Sequence, residues 1–127
     1  MAKIAKEIHL ETPNTPGTVA KVSAAIKEAG VNIRGLCAWG EGDKGNFMIV
    51  TEDNAKAIES LTKAGFQAQE SDVVLLDLKN QVGTLAEAAQ KLGTAGVNVN
   101  YCYVSTVGSD CLAVLSTGDN AKAVEVL

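Results

Sequence analysis

The 127-residue chain has one histidine, two prolines and few aromatics: one Trp, two Tyr and two Phe, or 4% of the residues. A lone histidine, His9, leaves little material for acid–base catalysis, which needs a base or nucleophile within reach of substrate. The one arginine, Arg34, falls inside a strand pattern rather than in a phosphate-cradling loop, and there is no Gly-rich Lys-Ser/Thr loop. The three cysteines, Cys37, Cys102 and Cys111, are odd in number and contain no Cys-x-x-Cys. A disulfide framework or zinc site needs paired, closely spaced ligands, so these cysteines read as buried apolar residues in strands, and no cofactor or metal is expected. No apolar run approaches the roughly 20 residues of a membrane span. The lysine-containing start lacks a continuous apolar stretch, so no signal peptide is expected and the cytoplasm is the default compartment.

Net charge is −4, from 11 basic and 15 acidic residues. Residues 1–66 carry eight of each, whereas residues 67–127 carry three basic and seven acidic ones. Such a chain is a poor binder of nucleic acid or of an anionic membrane. Tyr101 and Tyr103 could stack on bases, but they lie in the acidic half. With 46% hydrophobic and 20% charged residues, disorder is excluded, and one core or two small ones can form.

The sequence is one unit written twice. Shifted by 66, residues 10–61 fall on 76–127 without a gap, and 18 of the 52 positions are identical. TEDNAKAIESL recurs as TGDNAKAVEVL, NTPGTVA as NQVGTLA, and AGVNI as AGVNV. His9 meets Leu75 in this comparison, which argues against a duplicated catalytic role.

Each copy reads strand, helix, strand, strand, helix, strand. In the first, residues 7–12 alternate, with Ile8, Leu10 and Thr12 on one face. Residues 14–17 break the strand as a turn. Val19, Val22, Ile26 and Ala29 form a helical stripe that Gly30 ends. Residues 31–39 form a second strand, with Val31, Ile33, Cys37 and Trp39 facing one way. Residues 40–45 read as a flexible hairpin loop and 47–51 as the third strand. Asp53 caps a helix whose stripe is Ala57, Ile58, Leu61 and Ala64, and residues 66–69 open a short fourth strand.

The second copy repeats the order, with Leu85, Ala88, Leu92 and Ala95 as its first helix stripe and Asp119 as cap of its last helix. It has no counterpart of residues 66–69. The fold class expected is α+β: tandem ferredoxin-like βαββαβ modules over residues 1–70 and 71–127. Each has an antiparallel sheet with its helices on one face, and the second copy lacks its last strand. Apolar residues on both strand faces, as in Val73–Leu76, imply that part of the surface meets another module or subunit. The bare edge of the second copy calls for cover by residues 1–6, by a strand of the other module or by another subunit, with dimerisation as the preferred outcome.

These residues resemble those of a tandem ACT-domain protein, a family of small ferredoxin-like regulatory modules that bind amino acids. The family pattern is a strand, then Asn-x-Pro-Gly-x-Leu-Ala, a helix, and Ala-Gly-Val/Ile-Asn-Ile. Here it reads Asn14-Thr15-Pro16-Gly17-Thr18-Val19-Ala20 and Ala29-Gly30-Val31-Asn32-Ile33, then Asn80-Gln81-Val82-Gly83-Thr84-Leu85-Ala86 and Ala95-Gly96-Val97-Asn98-Val99. In ligand-binding members an amino acid sits between paired modules, held by the turn after strand one and the asparagine entering strand two. Matched residue by residue, the resemblance implies ligand contacts at Asn14, Pro16, Gly17 and Asn32, and at Asn80, Gly83 and Asn98, with Asn100 beside them. Some serine-binding members carry a histidine two residues before the turn asparagine, where this chain has Thr12 and Leu78, and the turn proline becomes Val82 in the second copy.

The residues allow two readings of these positions. Both glycine turns feed helix starts whose free amides favour a carboxylate, and an asparagine can meet either an ammonium or a carboxylate. Equally, Asn14 and Asn80 can close turns or cap helices, and Asn32 and Asn98 can bridge backbone at a strand start. The expected function is that of a non-catalytic regulatory protein binding a small amino acid at the junction between modules. The expected partners are a second copy, as a homodimer, and a metabolic enzyme or regulator. The alternative is a protein-docking module with no small ligand.

Overall fold

A computed structural model describes residues 1–127, in the order β1 (Ala2–Pro13), α1 (Thr18–Glu28), β2 (Ile33–Glu41), β3 (Lys44–Thr51), α2 (Asn54–Lys63), β4 (Ala68–Lys79), α3 (Thr84–Thr94), β5 (Val99–Val107), β6 (Asp110–Thr117) and α4 (Asn120–Val126). Two compact units result. The first is Lys6–Ser71; the second combines Met1–Ala5 with Asp72–Leu127. The architecture is the expected α+β repeat.

β1 and β4 are longer than the sequence pattern suggested. The segments around residues 66–69 and 73–78 are one continuous strand, and β1 begins at Ala2, not at Glu7. Neither Lys3–Lys6 nor Gln69–Asp72 contains a glycine or proline, so nothing interrupts the extended backbone. The two long strands are offset by 66, the period of the repeat. Each therefore begins in one unit and ends in the other.

This resolves the missing strand. In the first unit β2, β3 and the Lys6–Pro13 part of β1 are followed by the opening residues of β4 as the fourth strand. In the second unit β5, β6 and the Asp72–Lys79 part of β4 are followed by Ala2–Ala5. The Asp77 amide donates to the Met1 carbonyl at 3.1 Å, and Ala2 packs against the second core as Ala68 packs against the first.

The first core is built from Ile8 and Leu10 of β1, Val22, Ala25 and Ile26 of α1, Phe47 and Ile49 of β3, and Ala57 and Leu61 of α2. The second uses Val74, Leu76, Ala88, Leu92, Val97, Ala113, Leu115 and Ala123. Within β4, Val73 to Leu76 are all buried, so the strand is covered on both faces there. Three details correct the sequence reading. Val19 and Leu85 begin their helix stripes but are 56% and 44% exposed, because the first turn of each helix overhangs the end of its core. A register shift between Ile33 and Gly35 breaks the alternation of β2. Val31 and Leu36 consequently pack on the core while Cys37 and Trp39 lie on the other face. The expected flexible loop over residues 40–45 is a two-residue turn, Gly42-Asp43, with Glu41 paired to Lys44. Gly42 has φ +59°, the conformation that a tight hairpin needs at its first central position, and Gly108 repeats it at +64°.

The cysteines are all free and all in strands, yet only Cys111 is buried; Cys37 is half-buried and Cys102 exposed. No helix is long and apolar enough to cross a membrane.

Candidate amino-acid-binding cleft

Thr12 ends the alternating run of β1, and Pro13 leads out of the strand into the turn. Gly17 then turns the chain into α1 with φ +88°, a left-handed conformation that costs a side chain roughly 1–2 kcal/mol. Gly17 stands at the N-cap and has no side chain to accept a hydrogen bond, and no acidic residue occupies the first turn. The Thr18 amide donates to the Thr15 carbonyl at 3.4 Å, which leaves the Val19 and Ala20 amides of the first turn for an outside acceptor.

Asn14 is fixed opposite that helix start. Its backbone amide donates to the Asp43 carbonyl at 2.9 Å, and its Nδ2 donates to the Gly42 carbonyl at 3.0 Å. The β1–α1 turn is thereby tied to the β2–β3 hairpin. The side chain crosses Gly40 so closely that a Cβ there would lie 2.8 Å from Asn14 Cγ. A Cβ on Gly45 would lie 2.5 Å from Thr12 Oγ1. These two glycines leave the room that the turn occupies. With one amide hydrogen committed to Gly42, Asn14 Oδ1 remains an acceptor.

Between the turn, the start of α1 and the hairpin lies a cleft of about 240 Å³ whose lining includes Asn14, Gly17, Val19, Ala38, Gly40 and Phe47. Its remaining lining residues are Thr12, Pro13, Thr15, Thr18, Ala20, Trp39 and Gly45, none of them charged. Drug-sized ligands occupy roughly 300–1,000 Å³, so this space fits a smaller molecule. A separate cleft of about 240 Å³ is lined by His9, Glu11, Gln67 and Gln69. No cluster of three or more His, Cys, Asp or Glu side chains is placed to hold a metal ion.

The other sequence-selected residues lie elsewhere. Asn32 precedes β2, where its carbonyl accepts from the Glu52 amide and its Nδ2 lies 3.5 Å from Glu52 Oε2. Pro13 pairs with Lys44 at one end of β3 and Ile33 with Thr51 at the other. Asn14 and Asn32 of one unit are therefore separated by roughly 23 Å of strand, far more than an amino acid spans. In the second unit Asn80 repeats the hairpin tie, its Nδ2 donating to the Gly108 carbonyl at 2.9 Å. Gly83 repeats the left-handed N-cap at φ +91°. Asn98 donates from Nδ2 to Asn100 Oδ1 at 3.1 Å, and its carbonyl accepts from Gly118. Pro16 is exposed in the turn.

Sequence reasoning missed Gly40 and Gly45, which lie in the hairpin and are not repeated in the second copy. The longest repeated stretch does more than supply the helix caps expected of Asp53 and Asp119. There Asp53 caps α2, its side chain accepting from the Lys56 amide, as Asp119 accepts from Lys122. Asn54 accepts from the Thr51 amide and hydroxyl and donates to the Lys6 carbonyl at 2.9 Å and to Glu70 Oε2 at 3.3 Å. Asn120 does the same with Thr117 and the Asp72 carbonyl. This recurring clasp holds each long strand where it enters a unit, and it accounts for the identity of Thr51, Asp53 and Asn54 with their partners.

Two ferredoxin-like units, each completed by the opening residues of a long strand, define a tandem of small α+β modules. The chain belongs to the ACT domain pair family, whose model matches residues 4–127. Among solved structures it is similar to protein BT0572 from Bacteroides thetaiotaomicron, at 26% identity and a TM-score of 0.91, over 99% of this chain and 88% of that one. It is also similar to the regulatory subunit of aspartate kinase from Thermus thermophilus, at 17% identity and a TM-score of 0.74, over 98% and 93% of the two chains. The corresponding subunit from Thermus flavus gives 19% identity and a TM-score of 0.64, over 98% and 90%. Among curated proteins, no sequence match was found.

Proposed function

We propose that this protein is a non-catalytic, cytoplasmic regulator that senses a small, uncharged amino acid in the cleft of its first unit. The observation that carries the reading is the combination in one small cleft of an uncapped helix start and an asparagine whose carbonyl oxygen is free. The ligand carboxylate would accept hydrogen bonds from the first amides of α1, where the helix dipole favours negative charge. The ammonium would donate to Asn14 Oδ1. The uncharged lining gives a charged ligand side chain no partner, which selects against acidic and basic amino acids. A paired ACT module closes the open side of the cleft, as the family pattern implies. Asn32 and Asn98, remote from the turn asparagine of their own units, would reach a ligand only across such a pairing. A homodimer supplies that pairing, and a metabolic enzyme or regulator receives the signal. Membership of the ACT domain pair family and the likeness to regulatory subunits support a regulatory role.

The experiment is a thermal-shift screen of all twenty amino acids on the full chain, because a ligand that binds only the native state raises its melting temperature. One or a few small uncharged amino acids should raise it, and aspartate, glutamate, lysine and arginine should not. A flat response to all twenty would favour a docking module that works without a small ligand.

A further inference from the structure

We infer that the first unit holds a second small-molecule site, separate from the cleft beside α1, and that this site takes a small organic cation carrying a guanidinium group. The site is the cleft of about 240 Å³ lined by His9, Glu11, Gln67 and Gln69. It stands apart from the amino-acid reading and does not depend on it.

Strand alternation brings the four side chains together. Ile8 and Leu10 enter the first core, so His9 and Glu11 project from the opposite face of β1. Phe66 and Ala68 pack against the same core, so Gln67 and Gln69 project to that opposite face at the start of β4, the neighbour of β1 in the sheet. His9 is half-buried and the other three are exposed. No hydrogen bond or ion pair within the chain engages any of the four side chains. The fold does not require them either. At the matching positions, 66 residues away, the second unit has Leu75, Asp77, Met1 and Lys3, a set with no imidazole and no carboxamide. Polar groups that converge on a cleft without engaging one another are what a small-molecule site presents.

The lining selects the ligand. With the histidine neutral, Glu11 carries the one charge in the cleft, which attracts a cation and repels an anion. The four side chains offer five acceptor atoms: both Glu11 oxygens, the two glutamine amide oxygens and one imidazole nitrogen. An alkylguanidinium presents five N–H donors in a planar fork that matches a carboxylate, whereas an ammonium presents three. Free arginine also brings an α-carboxylate, which Glu11 repels and no lining cation receives, so a decarboxylated guanidine fits better.

Proton NMR on the full chain at fixed pH tests this, because the lone histidine, His9, gives a single Cε1 proton signal. Agmatine, a decarboxylated guanidine, should shift that signal saturably. Putrescine, which has an ammonium in place of the guanidinium, should bind about tenfold more weakly or worse at matched ionic strength. Glu11→Gln should weaken agmatine binding about ten- to hundredfold with circular dichroism unchanged. Asp77→Asn, the matched change in the second unit, should leave it as in the parent. A signal that stays in place, or drifts without saturating, at millimolar agmatine would overturn the site, as would parent-like binding by Glu11→Gln. Putrescine binding as tightly as agmatine would overturn the guanidinium assignment. None of these outcomes bears on the amino-acid cleft, which the thermal-shift screen tests separately.

Discussion

Asn54 offers the sharpest test of how each unit is held together. Its Oδ1 lies 2.6 Å from the hydroxyl and 3.2 Å from the amide of Thr51, and its Nδ2 reaches the Lys6 carbonyl at 2.9 Å. Thr51 is only 8% exposed. Each neutral hydrogen bond contributes about 0.5–1.5 kcal/mol net, and a buried hydroxyl left without a partner costs about 1–3 kcal/mol. Asn54→Ala should therefore destabilise the first unit by about 2–4 kcal/mol, measured by urea denaturation at constant m-value. Thr51→Val removes the hydroxyl and should cost about 1 kcal/mol in the parent. In the Asn54→Ala background the same change should cost nothing, or restore stability, because the hydroxyl is already orphaned. The Glu70 contact is exposed and is left out of this reckoning. A cost below about 0.5 kcal/mol for Asn54→Ala, or the same cost for Thr51→Val in both backgrounds, would refute the clasp.

Deleting residues 1–5 should selectively loosen the second unit. The amides of Val73 to Leu78 should exchange with solvent about tenfold faster or more, while those of Phe47 to Val50 are protected as before; equal protection in both would contradict the strand assignment. Gly17→Ala should cost about 1–2 kcal/mol, because an L side chain is forced to φ +88°, and denaturant titration would read the loss. Leu61→Ala, fully buried in the first core, should cost about 2–5 kcal/mol, and Leu92→Ala in the second core a similar amount. For these two variants, hydrogen exchange should place the larger effect in the unit that carries the change.

Much of this fold was legible because the repeat supplies its own control. Hydrophobic period and glycine punctuation located every helix and the order of the strands. What the pattern hid was where the units begin. The self-match was traced from Leu10 onward, yet Ala2 and Ala68 also coincide at the same offset, and they pack against corresponding positions in the two cores. The chain's opening residues are the strand the second copy lacks, and the Ala2–Ala68 coincidence is their one trace in the repeat. Periodicity reports the face of a strand but not its partner, so pairing between distant segments stayed hidden. The hairpin turn was misjudged because six polar and glycine residues look like a loop, although only Gly42 and Asp43 leave the ladder. At the cleft, Asn14 and Gly17 stood out by repetition. Gly40 and Gly45 did not, since their importance lies in what they omit. Asn32 drew attention by resemblance, and only strand register revealed its distance from Asn14.

The central claim is that the first unit carries a selective amino-acid site, and calorimetric titration of the full chain with the small uncharged amino acids tests it most directly. Saturable binding of one of them is expected, with aspartate and lysine silent. Heats indistinguishable from dilution for every amino acid at millimolar concentration would contradict it.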